Sequence, residues 1–149
     1  MRGGAEGLRV AGAILEMIRQ GWGVDGSAFA EAFATLYMPD ATREQLQHLA
    51  GMQRASATAD NAVALRRAID AFDVSDLLGK VRAPTLVLHA RQDAVHPVEQ
   101  SLALAEGIKG ADLRVLEGRN HVPLPHDPCW EEMMIATEDF LARNIGGGT

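Results

Sequence analysis

The stretch "PTLVLHA", residues 84–90, constrains the fold of this chain more than any other. It is an apolar run bounded by Pro84 on one side and by "RQD" on the other, with no polar alternation inside it. A strand with one wet face alternates, whereas a strand of a parallel sheet, covered on both faces, reads as a continuous run. "HPVEQSLALAEGI" follows as a helix with Pro97 at its first position and Val98, Leu102 and Ala105 facing inward. "ADLRVLEG" then reads as a second strand, so that strand, helix and strand make a right-handed parallel crossover unit. "DPCWEEMMIATEDFLAR" reads as a closing helix with Asp127 as N-cap and Pro128 at its first position. Its stripe is Trp130, Met133, Met134, Thr137 and Phe140 or Leu141.

The first half has helical spacing throughout. Leu8, Ala11, Leu15 and Ile18 share a face, and Gly21 is placed to end that helix in a left-handed turn. "GSAFAEAFATLYM" puts Phe29, Phe33, Leu36 and Tyr37 on one side, and Pro39 closes it. "TREQ" at 42–45 fits a capping box between Thr42 and Gln45, starting a helix that buries Leu46, Leu49 and the stem of Gln53. Leu65, Ala68, Ile69 and Phe72 define a fourth amphipathic helix, followed by a short helical turn in "DVSDLLGKV". The fold class is α/β, divided into a helical region 1–80, a strand-helix-strand-helix segment 81–145 and a flexible "GGGT" tail at 146–149. One consequence is awkward. An all-apolar strand belongs inside a sheet, yet only two strands are evident, and a bare apolar edge is an aggregation template. Residues outside this chain, a partner chain or a second copy must cover it, and self-association is the expectation.

Composition excludes several classes of function. At 149 residues and 47% hydrophobic content the chain has the make-up of one globular protein. Asp and Glu outnumber Lys and Arg by 20 to 14 with no basic cluster on one face, so nucleic-acid binding is not expected. The single Cys129 rules out an internal disulfide and suits a reducing compartment, with packing as its role. No apolar run is long enough to span a bilayer, and "MRGGAEGLRVAGAILEMIRQ" has helical spacing in place of a signal-type core, so a soluble, cytoplasmic protein is expected. His89, Asp93, His96, His121, His126 and Asp127 supply ligand atoms, but no Cys pair or H-E-x-x-H spacing joins them, and neither a metal nor a cofactor is expected. Trp22 and Trp130 are expected in the core.

Two positions carry the chemistry. Asp93 lies beyond the end of the first strand, and His121, in "EGRNHVPL", lies beyond the end of the second. Side chains past the carboxyl ends of adjacent parallel strands project into one crevice, where such sheets hold their ligands. An aspartate bonded to one ring nitrogen of a histidine sets its tautomer and leaves the other nitrogen as a general base.

From "DVSDLLGKVRAPTLVLHARQDAVHP" through "LRVLEGRNHVPL" to "FLAR", the sequence resembles the C-terminal portion of an α/β-hydrolase-fold protein. The helical half is similar to the cap or lid that such proteins insert before their last two strands. The likeness is greatest to the hydrolase-like modules of bacterial transcription regulators and adenylate cyclases. The resemblance implies a partial α/β-hydrolase fold, with a helical cap followed by β-α-β-α, and it implies Asp93 as triad acid and His121 as triad base. The nucleophile motif G-x-S-x-G does not occur, and Ser27, Ser56, Ser75 and Ser101 all fall in predicted helices or their entries. The expected function is that of an ester- or acyl-hydrolase-type protein, inactive as an isolated chain. The alternative is a regulatory module that binds a small molecule or a partner, with the pair kept as a polar anchor.

Overall fold

The computed structural model describes residues 5–145, and of the side chains it describes those of 12–144. The expected flexible tail at 146–149 and the side chains of Leu8 and Ala11 lie outside the described residues. The element order is α1 (Ala5–Gly21), α2 (Ala28–Tyr37), α3 (Arg43–Ser56), α4 (Ala59–Ala71), a 3-10 turn (Ser75–Lys80), β1 (Leu86–Ala90), α5 (Val98–Gly107), β2 (Asp112–Leu116) and α6 (Trp130–Ile145). The chain divides into two compact units, one of residues 1–35 and 41–72, the other of 36–40 and 73–149. This differs from a division at residue 80, because the 3-10 turn packs on α5 and so belongs with the strands. Residues 36–40 join the second unit as well, through main-chain bonds described below.

In the helical unit α4 packs on α1. Trp22 closes the end of α1, its Nε1 donating to the carbonyl of Ala57 at 2.7 Å and its ring meeting Phe33 edge-on at 5.9 Å. The capping box forms as the sequence indicates, with the Gln45 amide on the Thr42 hydroxyl and the Gln45 side chain on the Thr42 amide. Two expectations fail here. Gly21 is not left-handed; the positive φ falls at Gly26. Gly21 is needed because a Cβ there would lie 2.4 Å from the Cβ of Phe29, so the start of α2 comes too close for any side chain. The apolar faces are also displaced. α2 buries Ala30, Phe33 and Ala34 while Phe29 and Leu36 are exposed, and α4 buries Ala62 and Val63 while Leu65 and Phe72 are 60% and 72% exposed. Small residues on the buried side allow helices close approach, which a count of large apolar residues does not register.

In the second unit β1 and β2 pair in parallel, Leu86 against Asp112 through Ala90 against Leu116, with α5 as the crossover. Among the described residues the sheet has these two strands only, and Leu86, Val87 and Leu88 are half-buried, not enclosed as an interior strand would be. α5 turns Ser101 inward and leaves Leu102 exposed, contrary to the expected apolar stripe. Pro97 is its N-cap residue. α6 starts at Trp130, and Asp127, expected as its N-cap, is instead a buried anchor. No helix among the described residues is long and apolar enough to cross a membrane.

Candidate active site

Asp93 ends the turn that leaves β1. Its amide donates to the carbonyl of Ala90, and its Oδ1 accepts from the amides of Val95 at 2.6 Å and His96 at 3.2 Å. This is an Asx turn, in which a short acidic side chain replaces a backbone acceptor. Oδ2 remains for another partner, and it lies 2.7 Å from Nδ1 of His121. The Asp93 side chain is 4% exposed and that of His121 33%. Burial acts to raise the Asp93 pKa, but the bonds from His121 and from the amides of Val95 and His96 outweigh it, and the carboxyl titrates below its ordinary value. An ionised acceptor on Oδ2 requires the proton on Nδ1, which leaves Nε2 of the neutral ring as a lone pair. Nε2 has no hydrogen-bond partner among the described residues.

His121 is held by groups that sequence reasoning missed. The amides of His121 and Val122 both donate to the carbonyl of Tyr37, at 2.8 and 3.2 Å, and the Tyr37 ring meets the imidazole edge-on at 5.6 Å. The adjacent Asn120 is 2% exposed. Its Nδ2 donates to both carboxylate oxygens of Asp127, at 2.7 and 2.9 Å, and its Oδ1 accepts from the amide of Asp40. Asp127 also accepts from the amide of Leu124. The 118–127 loop is thereby tied at both ends of its turn, with His121 between the ties. The adjacency of Asn120 to His121 in "RNH" was the available signal; a tyrosine carbonyl has none.

Asp93 and His121 line a cleft of about 320 Å³. His89 lines it too, with Nδ1 at 2.9 Å from Ser101 Oγ, and its Nε2 is buried without a partner. His96 stands at the rim with its ring 5.2 Å from that of His121 and its Nδ1 bonded to Gln100. His126 bonds the carbonyl of Asp40. The histidines are thus distributed over separate partners, and no group of three or more metal-ligating side chains is assembled among the described residues. Of the serines, Ser101 lines the cleft and is engaged by His89. Cys129 is buried, and burial followed by the charge of Asp127 pushes its thiol pKa up, so it is a packed thiol. It packs so closely on Gly118 that a Cβ there would lie 3.2 Å from its Sγ.

No family model matches the chain. Among curated proteins it is similar to the protein named "Putative carbamate hydrolase RutD" of Rhizobium rhizogenes, with 41% identity over 54 residues, 36% of this chain and 21% of that protein. Its counterpart from Pseudomonas savastanoi pv. phaseolicola is 36% identical over 69 residues, 46% of this chain and 27% of that protein. Among solved structures the fold matches the esterase EaEST from Exiguobacterium antarcticum with a TM-score of 0.69 at 22% identity, over 91% of this chain and 47% of that one. The chain therefore spans about half the length of the esterase, and its match to the RutD proteins spans a smaller share of theirs.

Proposed function

We propose that this chain, a partial α/β-hydrolase-like fragment in sequence and fold, carries the acid and base of a hydrolytic site for ester or other acyl compounds. Asp93 is the acid that orients and stabilises the imidazolium, and His121 is the general base acting through Nε2. The observation that carries this reading is the 2.7 Å bond between His121 Nδ1 and a nearly enclosed, ionised Asp93, with the ring itself open to a cleft. General-base action of such a pair contributes about 10²–10⁴-fold. The larger share of acyl-transfer catalysis comes from a positioned nucleophile and oxyanion donors. The sequence contains no G-x-S-x-G, so the chain by itself turns over esters slowly at best. The helical unit, residues 1–35 and 41–72, serves in this reading as the lid region.

A second reading is favoured by the same cleft: without a nucleophile motif it binds a small molecule, with the Asp93–His121 pair as polar anchor. Hydrolysis of a short-chain p-nitrophenyl ester by the wild type and by His121→Ala separates the two. Turnover that falls at least tenfold in the variant supports the hydrolytic reading. Absent turnover, with thermal stabilisation by a small carboxylate or amide that is lost in His121→Ala, supports the binding module. Turnover unchanged by His121→Ala overturns the assignment of the site.

A further inference from the structure

Between β2 and α6 the chain runs through residues 117–129 without helix or strand, so the place of His121 is set by individual bonds. Many of these bonds go to residues 37–40, which join α2 to α3 yet belong with the strands. The Tyr37 carbonyl takes the amides of His121 and Val122. Asp40 directs all three of its polar groups at the same loop. Its amide donates to Asn120 Oδ1 at 3.0 Å, its carboxylate accepts from Arg119 Nη1 at 2.8 Å, and its carbonyl bonds His126 Nε2 at 3.3 Å. The ion pair is open to solvent, with Asp40 39% and Arg119 56% exposed, and such pairs hold little. Asn120 is different, being buried and bonded at both ends of its amide.

The residue type at 120 matters. A side-chain amide carries a donor and an acceptor in one planar group, so Asn120 gives to the Asp127 carboxylate and takes from the Asp40 amide at once. A carboxylate there takes but cannot give, and an aliphatic side chain does neither. Asp127, also buried, accepts from Asn120 and from the Leu124 amide, which closes the turn that follows His121. The Tyr37 carbonyl cannot replace this arrangement, because two amides on one acceptor leave the loop free to turn about that oxygen.

We propose that Asn120 is the positioning residue of the base. By joining residue 40 to residue 127 through its side chain, it fixes the backbone that carries His121 and so aims the imidazole at Asp93. This rests on the assignment of Asp93 and His121 as acid and base, and extends it to what holds the base in place. The margin is small. The bond between His121 Nδ1 and Asp93 Oδ2 is 2.7 Å long. A hydrogen bond of this kind is lost by about 3.6 Å, so a shift of the loop by about 1 Å breaks it. Misplacement of that size can cost about 10²-fold in rate.

Proton NMR reads the acid–base bond without need of turnover, since an imidazole N–H held by a carboxylate resonates far downfield; loss of the signal in His121→Ala assigns it. In Asn120→Asp a second carboxylate replaces the donor to Asp127, and the two repel. The resonance is expected to disappear while circular dichroism shows a folded protein. Exchanging the pair, Asn120→Asp with Asp127→Asn, returns one donor and one carboxylate and keeps acceptors for the amides of Asp40 and Leu124. The resonance is expected to return. Where the ester assay shows turnover, kcat is expected to fall about tenfold or more in Asn120→Asp and to recover in the exchange, with KM unchanged. A wild type without the resonance removes the acid–base reading and this inference with it. A resonance retained in Asn120→Asp, with only a lower melting temperature, leaves that reading standing and overturns the inference, because the role is then merely structural. If Asn120→Asp does not fold, the exchanged pair decides. Recovery of the resonance there supports the proposal, and an exchanged pair that is unfolded or lacks the resonance overturns it.

Discussion

Asp93 uses its two oxygens for different tasks: one closes its own turn on the amides of Val95 and His96, and the other holds His121. One side chain therefore both closes the turn after β1 and holds the imidazole. Since the folded carboxyl titrates below its ordinary value, its contribution to stability is fully present above a pH of about 3.9 and is lost as pH falls through the folded value. Asp93→Asn is expected to lower unfolding free energy by about 2–3 kcal/mol at pH 7, the scale of charge-assisted bonds at a buried site. Urea denaturation at a series of pH values checks this, and the gap between wild type and variant must narrow on acidification below about pH 4. Asp93 and His121 were legible as neighbours because each follows one of two adjacent parallel strands, whose tips share a crevice. The ties that fix His121 were not, since the Tyr37 carbonyl is a backbone group that every residue possesses.

At the scale of elements, glycine marks close packing more than it marks turns. Gly107 ends α5, and a Cβ there would lie 2.6 Å from Leu78 Cδ1 and 2.9 Å from Leu78 Cβ, whereas at Gly51, inside α3, the nearest atom is the flexible end of Arg54 at 4.0 Å. The same substitution should therefore act in opposite directions. Gly51→Ala is expected to stabilise by about 0.5–1 kcal/mol through helix propensity. Gly107→Ala is expected to destabilise by about 1–3 kcal/mol through overpacking. Thermal melts of the two variants measure the contrast. The positions of helices and strands were readable from periodicity, and so was the Thr42 box, because these are local properties. Which face each helix buries was not, as α2 and α4 show, because burial depends on what packs against the helix.

At the scale of the molecule, large apolar side chains stand exposed on the helical unit: Leu65, Ile69 and Phe72 are 60%, 44% and 72% exposed along α4 and its end. Their spacing of four and three residues is what made them look like a core stripe. Replacing Leu65 or Phe72 by Gln is expected to change the stability of the chain by no more than about 0.5 kcal/mol, the range for surface positions. Chemical denaturation of each variant checks this; a loss of several kcal/mol would return these residues to a core. The sequence by itself determined the α/β alternation, the strand tips and the acid–histidine pair, because strand periodicity and the order of residues past strand ends are encoded within a few neighbours. Tertiary structure alone decided which surfaces are buried and which backbone groups grip His121. These depend on residues distant in the chain, such as Tyr37 against His121, and no local pattern records who a distant neighbour is.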